Sequence, residues 1–247
     1  MNLAIAIVAP VLGAVAGSFS ATAGLRWTRG EQALTGRSRC DACAAPLGFG
    51  QTVPIVSYVY LRGACAKCGV SISPVHLAGE VLGASVALAS FALVPISAAL
   101  LIMGLGLTLI AAAIADVTNR RLPNLANLLV AGLGGALAAQ RGLFALLVGL
   151  AASALTAVML ILVRQAFWKR KGHHYMGLGD VKLAAALALW LGAATPWMIS
   201  VAGVLGLVQA SLFKSAKPGI AFGPVLAIVG WTLGLALQAG LFGDLIP

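Results

Sequence analysis

Acid is what this chain has least of. Its 247 residues hold six Asp and Glu against 16 Lys and Arg, and only 9% of residues are charged. A water-soluble domain gives about a quarter of its residues to charge, so a chain this poor in charge cannot cover a wet surface. Cysteine is almost missing too: there are four, all between residues 40 and 68. No repeat period stands out. The first apolar run has no basic residue before it and no clear cleavage site, so it reads as a retained span rather than a removed signal.

What remains is apolar. Hydrophobic residues make up 61% of the chain and the mean hydropathy is +1.02. One membrane span needs about 20 apolar residues, so several fit. The expected fold is an all-α integral membrane protein with eight transmembrane helices, at 3–25, 76–94, 96–116, 122–140, 142–164, 181–194, 197–213 and 221–242, with turns at Pro95 and Pro196. Glycines inside these spans (Gly104, Gly106, Gly132, Gly134 and Gly135) suit close helix packing. Between the first two spans lies a polar segment with all the cysteines. The chain thus divides into a first helix (1–25), a four-cysteine loop (26–75) and a seven-helix part (76–247).

The net charge of +10 fits orientation in a membrane better than nucleic-acid binding. With eight spans, alternate loops hold 15 of the 16 basic residues, from Arg26 and Arg29 through Arg120, Arg121, Lys169 to Lys214 and Lys217, and only Arg141 lies opposite. The positive-inside rule makes the basic side cytoplasmic and puts both termini on the outer, periplasmic side.

The cysteines form two CxxC pairs, Cys40-Asp-Ala-Cys43 and Cys65-Ala-Lys-Cys68. This spacing suits tetrahedral zinc. Two disulfides need an oxidising compartment, which the cytosolic side is not. Four sulfurs leave no open ligand position, so the metal is structural.

Three of the six acids, Glu80, Asp116 and Asp180, fall at or inside span ends. Charge there is costly and marks a candidate functional group. Asp116 closes the third span and Asp180 opens the sixth, in Gly177-Leu-Gly179-Asp180-Val-Lys182, both at the cytoplasmic edge. Each has a plain structural explanation: Asp180 as an acid at a helix N-terminus, Asp116 as a partner of Arg120 at i+4. Together, two carboxylates sharing a proton can activate water and protonate a peptide carbonyl. Gly177 and Gly179 allow close backbone approach to a substrate. Glu80 either faces the same site or bonds a neighbouring helix, and His76, His173 and His174 read as interfacial polar residues.

These residues resemble the bacterial prepilin peptidase family, membrane aspartyl peptidases of type IV pilus and type II secretion systems. The resemblance rests on both cysteine pairs, the run Val53-Pro54 to Arg62-Gly63 before the second, Asp116 followed by Pro123-Asn124, the GxGDxK segment at Gly177–Lys182, and Phe222-Gly223-Pro224. It implies an inner-membrane enzyme that cuts the basic leader from prepilin or pseudopilin substrates, with Asp116 and Asp180 as the catalytic pair. Gly177, Gly179, Lys182, Glu80, Pro123 and Asn124 are then candidates for the substrate site. It also implies N-methylation of the new N-terminus with S-adenosylmethionine, although Ser18-Phe19-Ser20-Ala21 and Leu25-Arg26-Trp27 depart from the Asn and Pro that members often carry there. The sequence points to no residues for binding that cofactor. Two other readings meet the acids and the cysteine loop: a proton-coupled transporter, and a membrane scaffold whose zinc module binds a secretion or pilus system.

Overall fold

A computed structural model of the chain describes residues 3–32, 37–171, 176–212 and 221–242. His173, His174, Lys214, Lys217 and Asp244 lie outside the described residues. Nine α-helices occupy the described residues, with no β-strand among them: α1 (Leu3–Arg29), α2 (Val56–Tyr60), α3 (Pro74–Leu93), α4 (Ile96–Asn119), α5 (Asn124–Gln140), α6 (Leu143–Lys171), α7 (Leu178–Leu191), α8 (Thr195–Leu212) and α9 (Gly223–Gln238). All but α2 coincide with the eight expected apolar segments; α2 is a short helix inside the cysteine loop.

Among the described residues, five stretches are long and apolar enough to cross a bilayer: Leu3–Arg29, Pro74–Leu93, Ile96–Asn119, Leu143–Lys169 and Leu178–Leu212. The last contains both α7 and α8, while α5 and α9 are apolar but shorter. Large side chains such as Ile7, Leu155, Leu162 and Val204 are exposed on the outer faces of α1, α6 and α8, as bilayer contact requires.

Boundaries moved where local chemistry decides. The expected helix at 181–194 lies three residues earlier: Gly177 is its N-cap, and the helix stops at Gly192, whose φ is 55°. This brings Asp180 inside the first turn of α7. A 3₁₀ turn, Gly192–Ala194, makes the break, and Pro196 lies in the first turn of α8, where its missing N–H costs nothing. Pro95 caps α4 as expected. Helix α6 continues past Arg164 to Lys171, because no breaker intervenes. At the far end, Arg141 donates to the Trp190 carbonyl and so caps the last turn of α7.

The core lies around α7, which packs on α5, α6 and α9 and buries Leu183, Leu187 and Trp190. Trp190 fits because Gly134 of α5 and Gly234 of α9 face it. Among the glycines expected at close contacts, Gly106, Gly134 and Gly135 are at them; Gly104 meets only a leucine methyl 3.7 Å away and Gly132 faces open space.

The tightest crossing joins α1 to α3. Gly13 and Gly17 meet Gly79 and Gly83, each pair four residues apart on its helix. A Cβ on Gly17 would lie 2.9 Å from Gly83 Cα, and one on Gly79 would lie 2.6 Å from Ala21 Cβ. Where lipid gives helices no hydrophobic reason to associate, such backbone contact supplies the packing. Gly17→Leu is expected to force the pair apart and destabilise the protein by roughly 1–3 kcal/mol through overpacking. Gly132→Leu, which meets nothing, is the control; thermal unfolding of both variants in detergent checks this.

Candidate functional site

Four helix ends meet on one side of the bundle. A turn at Arg120–Pro123 joins the C-terminus of α4 to the N-terminus of α5, and the N-termini of α7 and α9 come to the same place. The last residues of α4 turn sharply because Arg120 adopts φ 55° and donates its N–H to the Asp116 carbonyl at 2.8 Å.

Asp116 is only 5% exposed, one turn before that end. Its Oδ2 accepts from the Gly223 N–H at 3.0 Å, at the first residue of α9. Only glycine fits there, since a Cβ would lie 2.9 Å from that oxygen. Asp180 is half-buried in the first turn of α7, and its Oδ1 is shielded from solvent and accepts no hydrogen bond from the described residues. The Gly177 backbone N–H approaches its carboxylate, and the two aspartates are near enough to feel each other's charge. The structure therefore brings Asp116 and Asp180 together, with N–H groups of two helix N-termini turned to their carboxylates.

The other candidates of that segment fall around the pair. A Cβ on Gly179 would lie 2.9 Å from Leu122 Cβ, so α7 starts directly against the α4–α5 turn. Pro123 is the N-cap of α5, and Lys182 Nζ donates to Asn124 Oδ1 at 2.8 Å. Lys182 and Asn124, singled out separately in the sequence, are thus one polar clasp between α7 and α5.

Glu80 is held elsewhere. Its Oε1 accepts from Ser18 Oγ at 2.8 Å, on α1, and its Oε2 from the Ile55 N–H at 2.6 Å, in the cysteine loop. It is 8% exposed and both oxygens are engaged, so of the two sequence readings the one with a hydrogen bond to a neighbouring helix matches this geometry. Nothing in the sequence flagged Ser18 or Ile55 as partners, because the contacts span 62 and 25 residues. Gly223 lies in the Phe222-Gly223-Pro224 segment, and its being a glycine is the sequence signal for this close contact.

The cysteine loop folds as two matching turns. Cys40 donates its N–H to Ala45 O and accepts from Ala44 N, both at 2.9 Å; Cys65 does the same with Val70 O and Gly69 N, also at 2.9 Å. Ala44 and Gly69, the residues after each pair, have φ of 55° and 70°. This small local repeat has too little sequence identity to show as a period. It gathers all four sulfurs within 4.8 Å of one another, with Cys40 Sγ and Cys68 Sγ at 3.9 Å. Tetrahedral zinc, with Zn–S of about 2.3 Å, needs sulfurs about 3.8 Å apart, so the donor set fits that metal.

The sulfurs titrate unequally. The backbone N–H groups of Cys68 and Lys67 bring the Cys65 thiol down to about 6. At Cys68 the Val70 N–H pulls the same way, but desolvation and the neighbouring thiols outweigh it and push the group up to about 11. Four crowded thiolates need a cation to hold them together. Asp41, within the first pair, reaches Arg29 of α1 at 3.3 Å and His76 of α3 at 3.8 Å, so the loop is tied to both helices.

Comparison with known proteins gives two family matches. The Bacterial Peptidase A24 N-terminal domain matches residues 11–94, and the Type IV leader peptidase family matches residues 103–211. Among similar proteins, the prepilin leader peptidase/N-methyltransferase of Dichelobacter nodosus is 35% identical over 228 residues, covering 85% of this chain and 75% of that protein. That of Neisseria gonorrhoeae is 34% identical over 205 residues, covering 79% and 70%. The type 4 prepilin-like proteins leader peptide-processing enzyme of Escherichia coli O78:H11 is 31% identical over 205 residues, covering 78% and 73%. No solved structure matches the chain.

The Lys182–Asn124 clasp can be measured directly. In a double-mutant cycle with Lys182→Ala and Asn124→Ala, stability in detergent is expected to show coupling of about 1 kcal/mol or less, since the lysine is exposed.

Proposed function

Because this chain belongs to the type IV leader peptidase family, we propose that it is an inner-membrane aspartyl endopeptidase. Its substrates are prepilin-like proteins, from which it removes a basic leader, and a second activity methylates the N-terminus so exposed. The observation that carries the first activity is the meeting of Asp116 and Asp180 where α4 ends and α7 begins, in a GxGD turn, with Gly223 N–H on Asp116 Oδ2 at 3.0 Å.

In this reading the two carboxylates hold one proton between them. The ionised one takes a proton from water, and the water oxygen adds to the scissile carbonyl carbon. The protonated one delivers its proton to the carbonyl oxygen. As the tetrahedral intermediate collapses, the C–N bond breaks, the leaving nitrogen takes a proton from the pair, and one hydroxyl of the intermediate returns its proton to the pair as the new C=O forms, which restores the starting state. The Gly223 and Gly177 amides hold the carboxylates in place, and Asp180 Oδ1, shielded from solvent and without a hydrogen bond from the described residues, is the oxygen whose bonding a substrate would complete. Gly179, having no Cβ, lets the start of α7 lie directly against Leu122 of the α4–α5 turn, which holds Asp180 at this edge. The substrate's apolar helix would lie in the bilayer against the spans.

For the second activity, S-adenosylmethionine would supply an electrophilic methyl group, and residues 26–75 would be the part that serves it, with 76–247 as the peptidase. The metal is zinc, held by Cys40, Cys43, Cys65 and Cys68. It folds a loop too small to have a core. The distribution of 15 of the 16 basic residues supports a cytoplasmic aspartate edge and cysteine loop, with both termini periplasmic. Neither a transporter nor a scaffold reading is favoured by the matches.

Two experiments test this. Purified protein in detergent is given a prepilin-like peptide with a basic leader and an apolar helix. Asp116→Asn and Asp180→Asn are each expected to slow cleavage about 10³-fold or more, the range of a lost general acid or base. Processing at the normal rate by either variant sinks the assignment. Separately, Cys40→Ser with Cys65→Ser is expected to take bound zinc from about one per chain to none by emission spectroscopy, because two of four ligands are lost.

A further inference from the structure

The cysteine loop is tied to the bundle at two heights. Asp41 reaches Arg29, the last residue of α1, at 3.3 Å and His76, in the first turn of α3, at 3.8 Å. Lower down, Glu80 of α3 takes the Ile55 N–H at 2.6 Å and the Ser18 hydroxyl of α1 at 2.8 Å. Ser18 lies about 16 Å along α1 from Arg29. Helix α3 has 20 residues and is about 30 Å long, and the hydrocarbon core it crosses is also about 30 Å thick. Glu80 lies about 9 Å from its start, so the backbone that Glu80 holds at Ile55 is below the bilayer surface. Val15 and Phe19 of α1 line one cavity with Pro54, Tyr58 and Leu61, so this part of the loop runs down along α1.

The segment has the chemistry of a lipid-facing one. From Ala42 to Leu61 no residue is charged. Helix α2 buries Ser57 and turns Val56, Val59 and Tyr60 outward, with Phe49 and Val53 exposed before it. Tyr60 is 83% and Phe49 97% exposed, so no described part of the chain covers them. Arg62 and Lys67 follow, both exposed. An uncharged apolar face with aromatic and basic residues at its rim is the pattern of helices that lie in the headgroup boundary. The backbone also meets the demand of lipid that its polar groups be paired within the chain. The Val56 N–H donates to Pro54 O at 2.6 Å across an Ile55 with φ 64°, a γ-turn of the rare, positive-φ kind. A β-branched residue there is an outlier that persists only where its surroundings enforce it, and Glu80 on the Ile55 amide does so. The N–H groups of Ser57 and Val59 go to the Val53 and Ile55 carbonyls, both at 3.0 Å, and that of Leu61 to Ser57 O at 2.9 Å. The Thr52 hydroxyl goes to Phe49 O at 2.9 Å.

We propose that residues 49–60 are embedded in the lipid leaflet on the loop's side of the membrane, with Val53, Val56, Val59 and Tyr60 among the upper acyl chains and Arg62 and Lys67 at anionic headgroups. The partner of this face is phospholipid. The face continues the exposed side of α1 at Val15 and Phe19, it lies at bilayer depth, and the charges that follow it are both basic. The inference goes beyond the peptidase and methyl-transfer readings and needs only that the helices span a membrane. Its consequence for them is one of position: the cysteine loop is held at the bilayer edge, where the end of a membrane-held substrate emerges.

The test is contact with lipid, read apart from activity. The full chain, loaded with zinc, is placed in vesicles of phosphatidylethanolamine and phosphatidylglycerol that include a phospholipid with a photoreactive diazirine on its acyl chain, and the adducts are mapped by mass spectrometry. In parallel, hydroxyl radicals made in the water phase oxidise the aromatic side chains that water reaches. Lipid adducts are expected on 53–60 as well as on the face of α6 that exposes Leu155 and Leu162. Phe49 and Tyr60 are expected to lose most of the oxidation they show in the guanidinium-unfolded chain, although the chain itself leaves them nearly bare. Val56→Asp with Val59→Asp is expected to lose the adducts across 53–60 while keeping bound zinc and the α6 adducts. Full oxidation of Tyr60, with adducts on α6 and none on 53–60, places the loop in water and overturns the proposal. Protection of Tyr60 without lipid adducts overturns it too and gives the face to a protein partner. Either result leaves the peptidase reading standing, since the aspartate variants judge that by cleavage. No adducts on α6 overturns the membrane reading itself, and this proposal with it.

Discussion

Backbone meets backbone at glycine wherever this protein has to be most compact. Gly13 and Gly17 of α1 lie on Gly79 and Gly83 of α3, and that crossing carries everything built between the two helices. Glu80, one residue past Gly79, can take Ser18 on one oxygen and the Ile55 amide on the other only because the helices are this close. A bilayer gives helices no hydrophobic gain from touching one another, so van der Waals contact and a few polar bonds must do what burial does in water. The same device recurs around Trp190, where Gly134 and Gly234 make room for the ring, and at Asp116, where Gly223 brings its amide to the carboxylate.

These contacts create two polar places in an otherwise apolar molecule, and they are built differently. The aspartate edge is made of helix ends: α4 finishes there and α5, α7 and α9 begin there. It needs no fold of its own. The cysteine loop, by contrast, has two short turns, one small helix and a strained γ-turn. It is fixed by three things: its four sulfurs, Asp41 tying it to Arg29 and His76, and Glu80 holding Ile55. The loop's order therefore depends on α1 and α3, and the family match to residues 11–94 spans that unit.

The helical segments were readable in advance because a bilayer tolerates no unpaired backbone group, so long apolar runs have one solution. The endings were less so. The stop of α7 at Gly192 and its start at Gly177 turn on two backbone conformations that hydropathy does not see, and Pro196 looked like a break although it lies just inside α8. Length also misled in part, since α5 and α9 are shorter than a usual span. Spacing alone showed the CxxC pairs as a metal-type set, and the sulfur cluster agrees.

By itself the sequence determined the fold class, the division into a cysteine loop and a helical bundle, and the short list of acids worth attention, because composition and the scarcity of charge constrain those directly. Tertiary structure decided which acids stand together. Asp116 and Asp180 meet across 64 residues of chain, while Glu80 turns to α1 and the loop. That choice depends on which helix faces pack, and packing here is set by glycines whose importance is visible only once their neighbours are in place. Gly132 and Gly17 are the same residue in the same kind of helix, yet one faces open space and the other holds two helices together.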